Sequence, residues 1–206
     1  MMHPKVLSAQ AWELVADLGD RGLLKDWTLC GGTGLALQFG HRLSEDLDFF
    51  RHRPGGLDRL PEQLSKVASV EILDRAVETL HVRVGGTRLS FMGLEAPLLH
   101  RGILYRGLTV GDTRDIASLK LVAIGGRGSR KDFVDLYFYL QQTPGLDQLF
   151  EHLERRDPGI DWNRFHLLKS LTWFEDAEQE PMPKMLKKVT WEEVKRFFET
   201  TAVRFL

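Results

Sequence analysis

Leu29-Cys30-Gly31-Gly32-Thr33-Gly34-Leu35-Ala36-Leu37, followed by His41-Arg42-Leu43-Ser44-Glu45-Asp46-Leu47-Asp48-Phe49-Phe50, is the stretch that decides the fold. Side chains alternate faces along a strand, so Asp46 and Asp48 share one face while Leu47 and Phe49 take the other. Two strand steps set their Cα atoms about 6.5–7 Å apart. At that spacing two carboxylates can converge on one hard cation, or on two ions roughly 3.5–4 Å apart. A bare D-x-D also fits two exposed loop acids. The apolar flank of Leu47, Phe49 and Phe50 argues instead for a strand rooted in a core. Upstream, Gly31-Gly32-Thr33-Gly34 separates a short strand at 27–30 from a helix that starts at 33 or 34 and ends near 39. Glycines let the backbone approach an anion, the helix start offers free N–H groups, and Thr33 adds a hydroxyl. A tight strand-to-helix turn would use the same glycines. An anion cradle followed by a two-carboxylate strand nevertheless divides the work of holding a triphosphate and its metal.

Outward from this pair, Trp12, Val15 and Leu18 recur at helical spacing and predict a helix over 9–18 with Ser8 as N-cap. The acid strand is expected over 43–50, then a loop at Arg53-Pro54-Gly55-Gly56 and a helix over 60–68 opened by Pro61. Strands at 79–84 and 87–92 flank Gly85-Gly86, a hairpin signal because the tight turn needs positive φ. A further strand covers 104–110. Beyond Gly111 the pattern is helical: 113–124 behind Asp112, with Asp115 in an arrangement like a capping box, then 130–142, 146–155, 161–177 and 191–205. Thr190 and Glu193 cap the last helix, and Pro181 and Pro183 mark the connector before it. The run from Gly125 to Lys131 fails the phosphate-loop spacing, since Arg130 stands where the second glycine belongs, and reads as an interhelical break. The expected class is α+β: a small mixed sheet with flanking helices over 1–110, then a packed helical region over 111–206 that completes the site.

The bulk properties narrow the classes. A chain of 206 residues suits one large domain or two small packed ones. A net charge of −1 argues against an unspecific nucleic-acid coat protein. The single Cys30 cannot form an internal disulfide and fits a reducing compartment. The start of the chain lacks the apolar run of a signal peptide, and no stretch approaches the roughly 18 apolar residues of a membrane span. A cytoplasmic protein is expected. The seven histidines form no metal motif, and Cys30 reads as a small buried apolar residue.

In the helical half, Asp132 and Asp135 share one helical face, Lys131 and Asp135 form an i, i+4 pair, and Lys120 lies on the preceding helix, where it could meet a phosphate. A surface salt bridge would use the same residues, and Asp115 reads as a cap. Arg42 could touch phosphate or brace Asp46 or Asp48, with Ser44 beside it.

The runs 29–37 and 41–50 resemble the AbiEii/AbiGii toxin family, nucleotidyltransferases of the DNA-polymerase-β-like superfamily. The likeness extends to 112–120, 127–136, 174–178 and 190–193. The resemblance implies a nucleotidyltransferase palm in which Gly31, Gly32 and Thr33, with Arg42 and Ser44 beside them, bind the nucleoside triphosphate. Asp46 and Asp48 would hold Mg2+ (or Mn2+), and Lys120 with Asp132 or Asp135 would complete the catalytic pocket. It further implies an RNA acceptor, the acceptor end of transfer RNA, and an antitoxin partner protein. Lys184, Lys187 and Lys188 could help hold RNA, although a solvated helix face explains them as well. The superfamily's third acid, on a neighbouring strand, has no counterpart in 87–92, where Ser90 takes the position. Asp132 or Asp135 could substitute. Two alternatives stand beside this reading: a small-molecule or protein acceptor, and a degenerate nucleotide-binding protein without turnover.

Overall fold

The computed structural model describes residues 1–53, 55–143 and 145–205; Pro54 of the expected loop lies outside them. Helix α1 (Ala9–Asp20) starts where Ser8 Oγ accepts the amide of Ala11. Then come β1 (Thr28–Leu29), α2 (Gly31–Phe39), β2 (Asp46–His52), α3 (Leu60–Ser65), β3 (Val70–Ala76), β4 (Thr79–Val84) and β5 (Thr87–Leu94). The chain continues through β6 (Ile103–Tyr105), β7 (Leu108–Val110), α4 (Thr113–Arg127), α5 (Arg130–Leu140), α6 (Leu146–Arg156), α7 (Arg164–Ser170), α8 (Glu175–Glu178) and α9 (Trp191–Val203).

The strands form one mixed sheet in the order β3-β4-β5-β2-β1-β7-β6. β2 pairs parallel with β5 and antiparallel with β1, which runs parallel to β7. The alternation in β2, β4 and β5 is strict enough to give each strand a wet and a dry face. Leu47, Phe49, Leu80, Val82, Leu89 and Phe91 pack under α1 and α3 with Leu14, Leu18, Trp27 and Leu64. A second core joins Leu35 and Phe39 of α2 to Ile116, Leu121, Phe133, Leu136, Leu149, Leu153 and Phe198 of the helical half. Each such side chain contributes about 1.5–3 kcal/mol on burial. Helix α2 belongs to both cores, with Ala36 and Leu37 in the first, so it is apolar all round, as a buried helix must be.

Several elements differ from expectation, each for a visible reason. The acid strand begins at Asp46 because the backbone before it is used elsewhere: Leu43 N–H bonds the Lys184 carbonyl at 2.8 Å and Ser44 N–H bonds that of Val6 at 2.9 Å. β3 was not expected, and the helix before it ends at Ser65; as an edge strand β3 is exposed from Glu71 to Ala76 and carries no core alternation. The 104–110 segment is a hairpin, β6 and β7, turned at Arg106 and Gly107 with φ of 49° and 78°. Helix α4 runs through Gly125 and Gly126 to Arg127. The interhelical break moves to Gly128-Ser129, where Ser129 and Asp132 form a capping box. The 161–177 segment splits into α7 and α8, while Thr190 and Glu193 cap α9 as expected. Asp112 caps α4 alone. Asp115, read as part of that cap, points inward instead and accepts the amides of Leu99 and His100, each at 2.9 Å.

Candidate active site

Asp46 and Asp48 stand half-buried on the wet face of β2, with Arg88 and Ser90 of β5 as register partners. Helix α2 starts beside them. Gly31 opens it at φ +56°, and a Cβ there would collide with the Asp48 carboxylate. Cys30, the N-cap residue, offers no side-chain bond, which leaves first-turn N–H groups for an anion. Burial pushes the Asp48 carboxyl above the usual carboxylate range; Lys120 and the Ser90 hydroxyl offset part of this, and Asp46 adds to it. A pair of oxygen donors, one of them costly to ionise without a counter-charge, suits a hard cation such as Mg2+ or Mn2+.

The Thr33 hydroxyl, with Thr33 fully buried, bonds the Asp46 carbonyl and, at 2.6 Å, Ser44 Oγ. Thr33 and Ser44 therefore set the start of the acid strand.

Behind the pair lies a buried ionic cluster. Arg42 forks onto Asp135, Nε to Oδ1 at 2.7 Å and Nη2 to Oδ2 at 2.9 Å, while His41 Nε2 reaches Oδ1 at 2.8 Å. Lys120 Nζ lies 3.1 Å from Asp135 Oδ2 and 2.6 Å from Asp132 Oδ1. Burial pushes the Asp135 carboxyl up, but Arg42 and Lys120, with the hydrogen bonds from Arg42 and His41, hold it well below its usual range. Burial likewise opposes the Lys120 charge, and the two aspartates overcome it and raise the ammonium. Arg42 thus braces Asp135 and neither member of the acid pair, correcting the expected bracing of Asp46 or Asp48. Lys120, Asp132 and Asp135 do meet, as one cluster in contact with the α2 start: a Cβ on Gly32 would strike the Arg42 guanidinium and lie 2.9 Å from Asp135 Oδ2. The expected Lys131–Asp135 pair is replaced by Lys131 Nζ at 3.7 Å from Asp46 Oδ2. Lys131 is half-exposed beside the acids, a cation whose place here the helical spacing alone did not show.

A second group, His100, Asp115 and His152, joins the loop before β6 to α4 and α6. His152 Nε2 is 2.9 Å from Asp115 Oδ1 and His100 Nδ1 is 3.4 Å from Oδ2. The two imidazoles stack at 5.0 Å with planes 15° apart, and each of the three residues offers a ligand atom within 4.8 Å of the others. The group is a clasp that secures the loop.

The glycine contacts give a direct test. Gly31→Ala is expected to destabilise by roughly 1–2 kcal/mol from the left-handed backbone alone and to displace Asp48 as well. Gly126, in the last turn of α4 with open space at its Cβ position, is the contrasting site, where alanine should stabilise by up to about 1 kcal/mol. Melting curves of the two variants should move in opposite directions.

Comparison with known proteins finds relatives in sequence and in fold. The family model described as nucleotidyl transferase AbiEii toxin, type IV TA system, matches residues 13–110, a span that holds both acids and the Gly-Gly turn. The uncharacterized protein aq_aa25 of Aquifex aeolicus is 34% identical over 202 residues, which cover 96% of this chain and 95% of that protein. The crystal structure of JHP933 from Helicobacter pylori shares the fold with a TM-score of 0.56 at 20% identity, over 96% of this chain and 92% of that one. The crystal structure of ANT(2")-Ia in complex with adenylyl-2"-tobramycin shares it with a TM-score of 0.53 at 13% identity, over 76% of this chain and 99% of that one. On these matches, the chain belongs to the AbiEii toxin family and is a nucleotidyltransferase.

Proposed function

We propose that this enzyme moves a nucleoside monophosphate from a nucleoside triphosphate to a hydroxyl of RNA, with transfer RNA as the acceptor. The reaction depends on Mg2+ or Mn2+ and serves as the toxin activity of a toxin–antitoxin pair in the cytoplasm. The observation that carries this reading is the placement of Asp46 and Asp48 on one open strand face beside the uncapped start of α2. In it, first-turn amides from Gly31 and Gly32 bind the phosphates, and Lys131 adds a cation near Asp46. Asp46 and Asp48 would hold the metal, which when bound neutralises charge on the phosphates and orients them. Lys120, held by Asp132 and Asp135, offsets part of the cost of burying the Asp48 charge. Arg88, the register partner of Asp46, presents a further exposed cation to a polyanionic acceptor. Among the described residues no helix is long and apolar enough to cross a membrane.

A small-molecule acceptor is the second reading. ANT(2")-Ia, a protein of the same fold, was crystallised with adenylyl-2"-tobramycin. Incubation of each α-labelled triphosphate with total RNA, and separately with aminoglycosides, distinguishes the two. Label is expected in the transfer-RNA band, lost on chelation and restored by added Mg2+ or Mn2+. Label only in the small-molecule arm would replace the RNA reading, and no label in either arm would remove both.

A further inference from the structure

The hairpin of β4 and β5 extends the acid face by one strand beyond Ser90. Asp48, Ser90 and His81 are successive register partners across β2, β5 and β4. His81 Nδ1 lies 3.0 Å from Ser90 Oγ, and Ser90 stands beside Asp48 as its register partner on β2. These groups line a cleft of about 250 Å³ together with Asp46, Arg88 and Leu73. In the tautomer with the proton on Nδ1, the ring donates to Ser90 Oγ and Nε2 keeps its lone pair. Among the described residues no protein group bonds Nε2, whose lone pair is therefore available in the cleft. Of the other cleft groups, Arg88 carries a guanidinium that does not deprotonate, Ser90 offers only a hydroxyl, a far weaker base than an imidazole, and the acids are taken by the cation site.

We infer that His81 is the proton acceptor for the acceptor hydroxyl in nucleotide transfer. This rests on the transferase reading above. In the step, the hydroxyl proton passes to His81 Nε2 as the hydroxyl oxygen forms its bond to the α-phosphorus. The bond from the α-phosphorus to the bridging oxygen breaks, and its electron pair leaves with pyrophosphate. Ser90 takes no proton; its contact with Nδ1 orients the ring with Nε2 toward the cleft. Asp74, opposite His81 on β3, is the remaining ionisable register partner of this position.

The test uses the full chain and three readouts: binding of labelled triphosphate at equilibrium, single-turnover transfer, and transfer in added imidazole. His81→Ala is expected to leave nucleotide binding within about twofold and to slow transfer by roughly 100-fold or more, the usual worth of a positioned base. Added imidazole should recover at least about tenfold of that loss, which repair of a structural role would not produce. His81→Gln should be as slow as His81→Ala, and imidazole should not rescue it because the cleft stays filled. Transfer by His81→Ala within about threefold of the parent, or a loss that imidazole does not touch, overturns the inference. The parent and the Asp46→Asn/Asp48→Asn variant run alongside. If parent and double variant are equally inactive, the transferase reading itself has failed; if the parent alone transfers label, that reading holds and His81 is judged by its own variants.

Discussion

Asp135→Ala is expected to lower the melting temperature by on the order of 10 °C while leaving the fold recognisable by circular dichroism. The fully buried carboxylate receives the Arg42 fork, His41 and Lys120, so its removal strands the Arg42 guanidinium inside the protein and leaves Lys120 with Asp132 alone. Breaking a buried ion pair from one side costs roughly 3–5 kcal/mol, and a chain of this size loses about 2–4 °C per kcal/mol. Arg42→Met alone should be similarly harmful, because it leaves Asp135 with fewer donors. The double variant Arg42→Met/Asp135→Leu should recover much of the loss, since matched apolar replacement of a buried pair is often tolerated. The pH dependence has a defined sign. A carboxyl held below its unfolded value, about 3.9, contributes stability that is fully present above that value. The contribution is lost as pH falls through 3.9 toward the lower folded value. The melting-temperature gap between the parent and Asp135→Asn should therefore be widest near neutrality and narrow below pH 4. A gap that is constant across that range would falsify the assignment.

How much of this was legible in the sequence depends on distance along the chain. The acid strand, the Gly-Gly turn, the Gly85-Gly86 hairpin and the Thr190–Glu193 cap are local devices whose residues meet within a few positions, so pattern alone found them. Asp135 was found on the right helical face, but its principal partner Arg42 is 93 residues away, and no local spacing announces such a pair. Asp115 shows the converse error. Three residues after Asp112 it imitates a cap, yet it serves as the acceptor for a loop 15 and 16 residues upstream. β3 escaped because an exposed edge strand buries too little to alternate. His81 could have been singled out only with the register of three strands in hand, since its meaning comes from standing two strands from Asp48.

The acid pair separates activity from stability. Asp46→Asn/Asp48→Asn is expected to reduce transfer by roughly 10³-fold or more, because a metal's charge stabilisation at a phosphoryl oxygen is worth several kcal/mol and each 1.36 kcal/mol is tenfold in rate. The metal-free variant should nevertheless melt no lower than the parent. Burial raises the Asp48 carboxyl, which means that ionised Asp48 opposes folding once pH exceeds its raised folded value. The opposition disappears as pH falls below the unfolded value, where the carboxyl is protonated in both states. Asparagine keeps the shape without the charge, and it also removes the repulsion between the two acids. The parent should gain stability on adding Mg2+ or Mn2+, since binding to the folded state alone shifts unfolding by mass action. The variant should not respond to either ion. Scanning fluorimetry at pH 7.5, with and without each ion, reads both effects beside the transfer assay. A variant that melts well below the parent without metal would show that Asp46 and Asp48 support the fold, and loss of transfer could then no longer be assigned to metal binding.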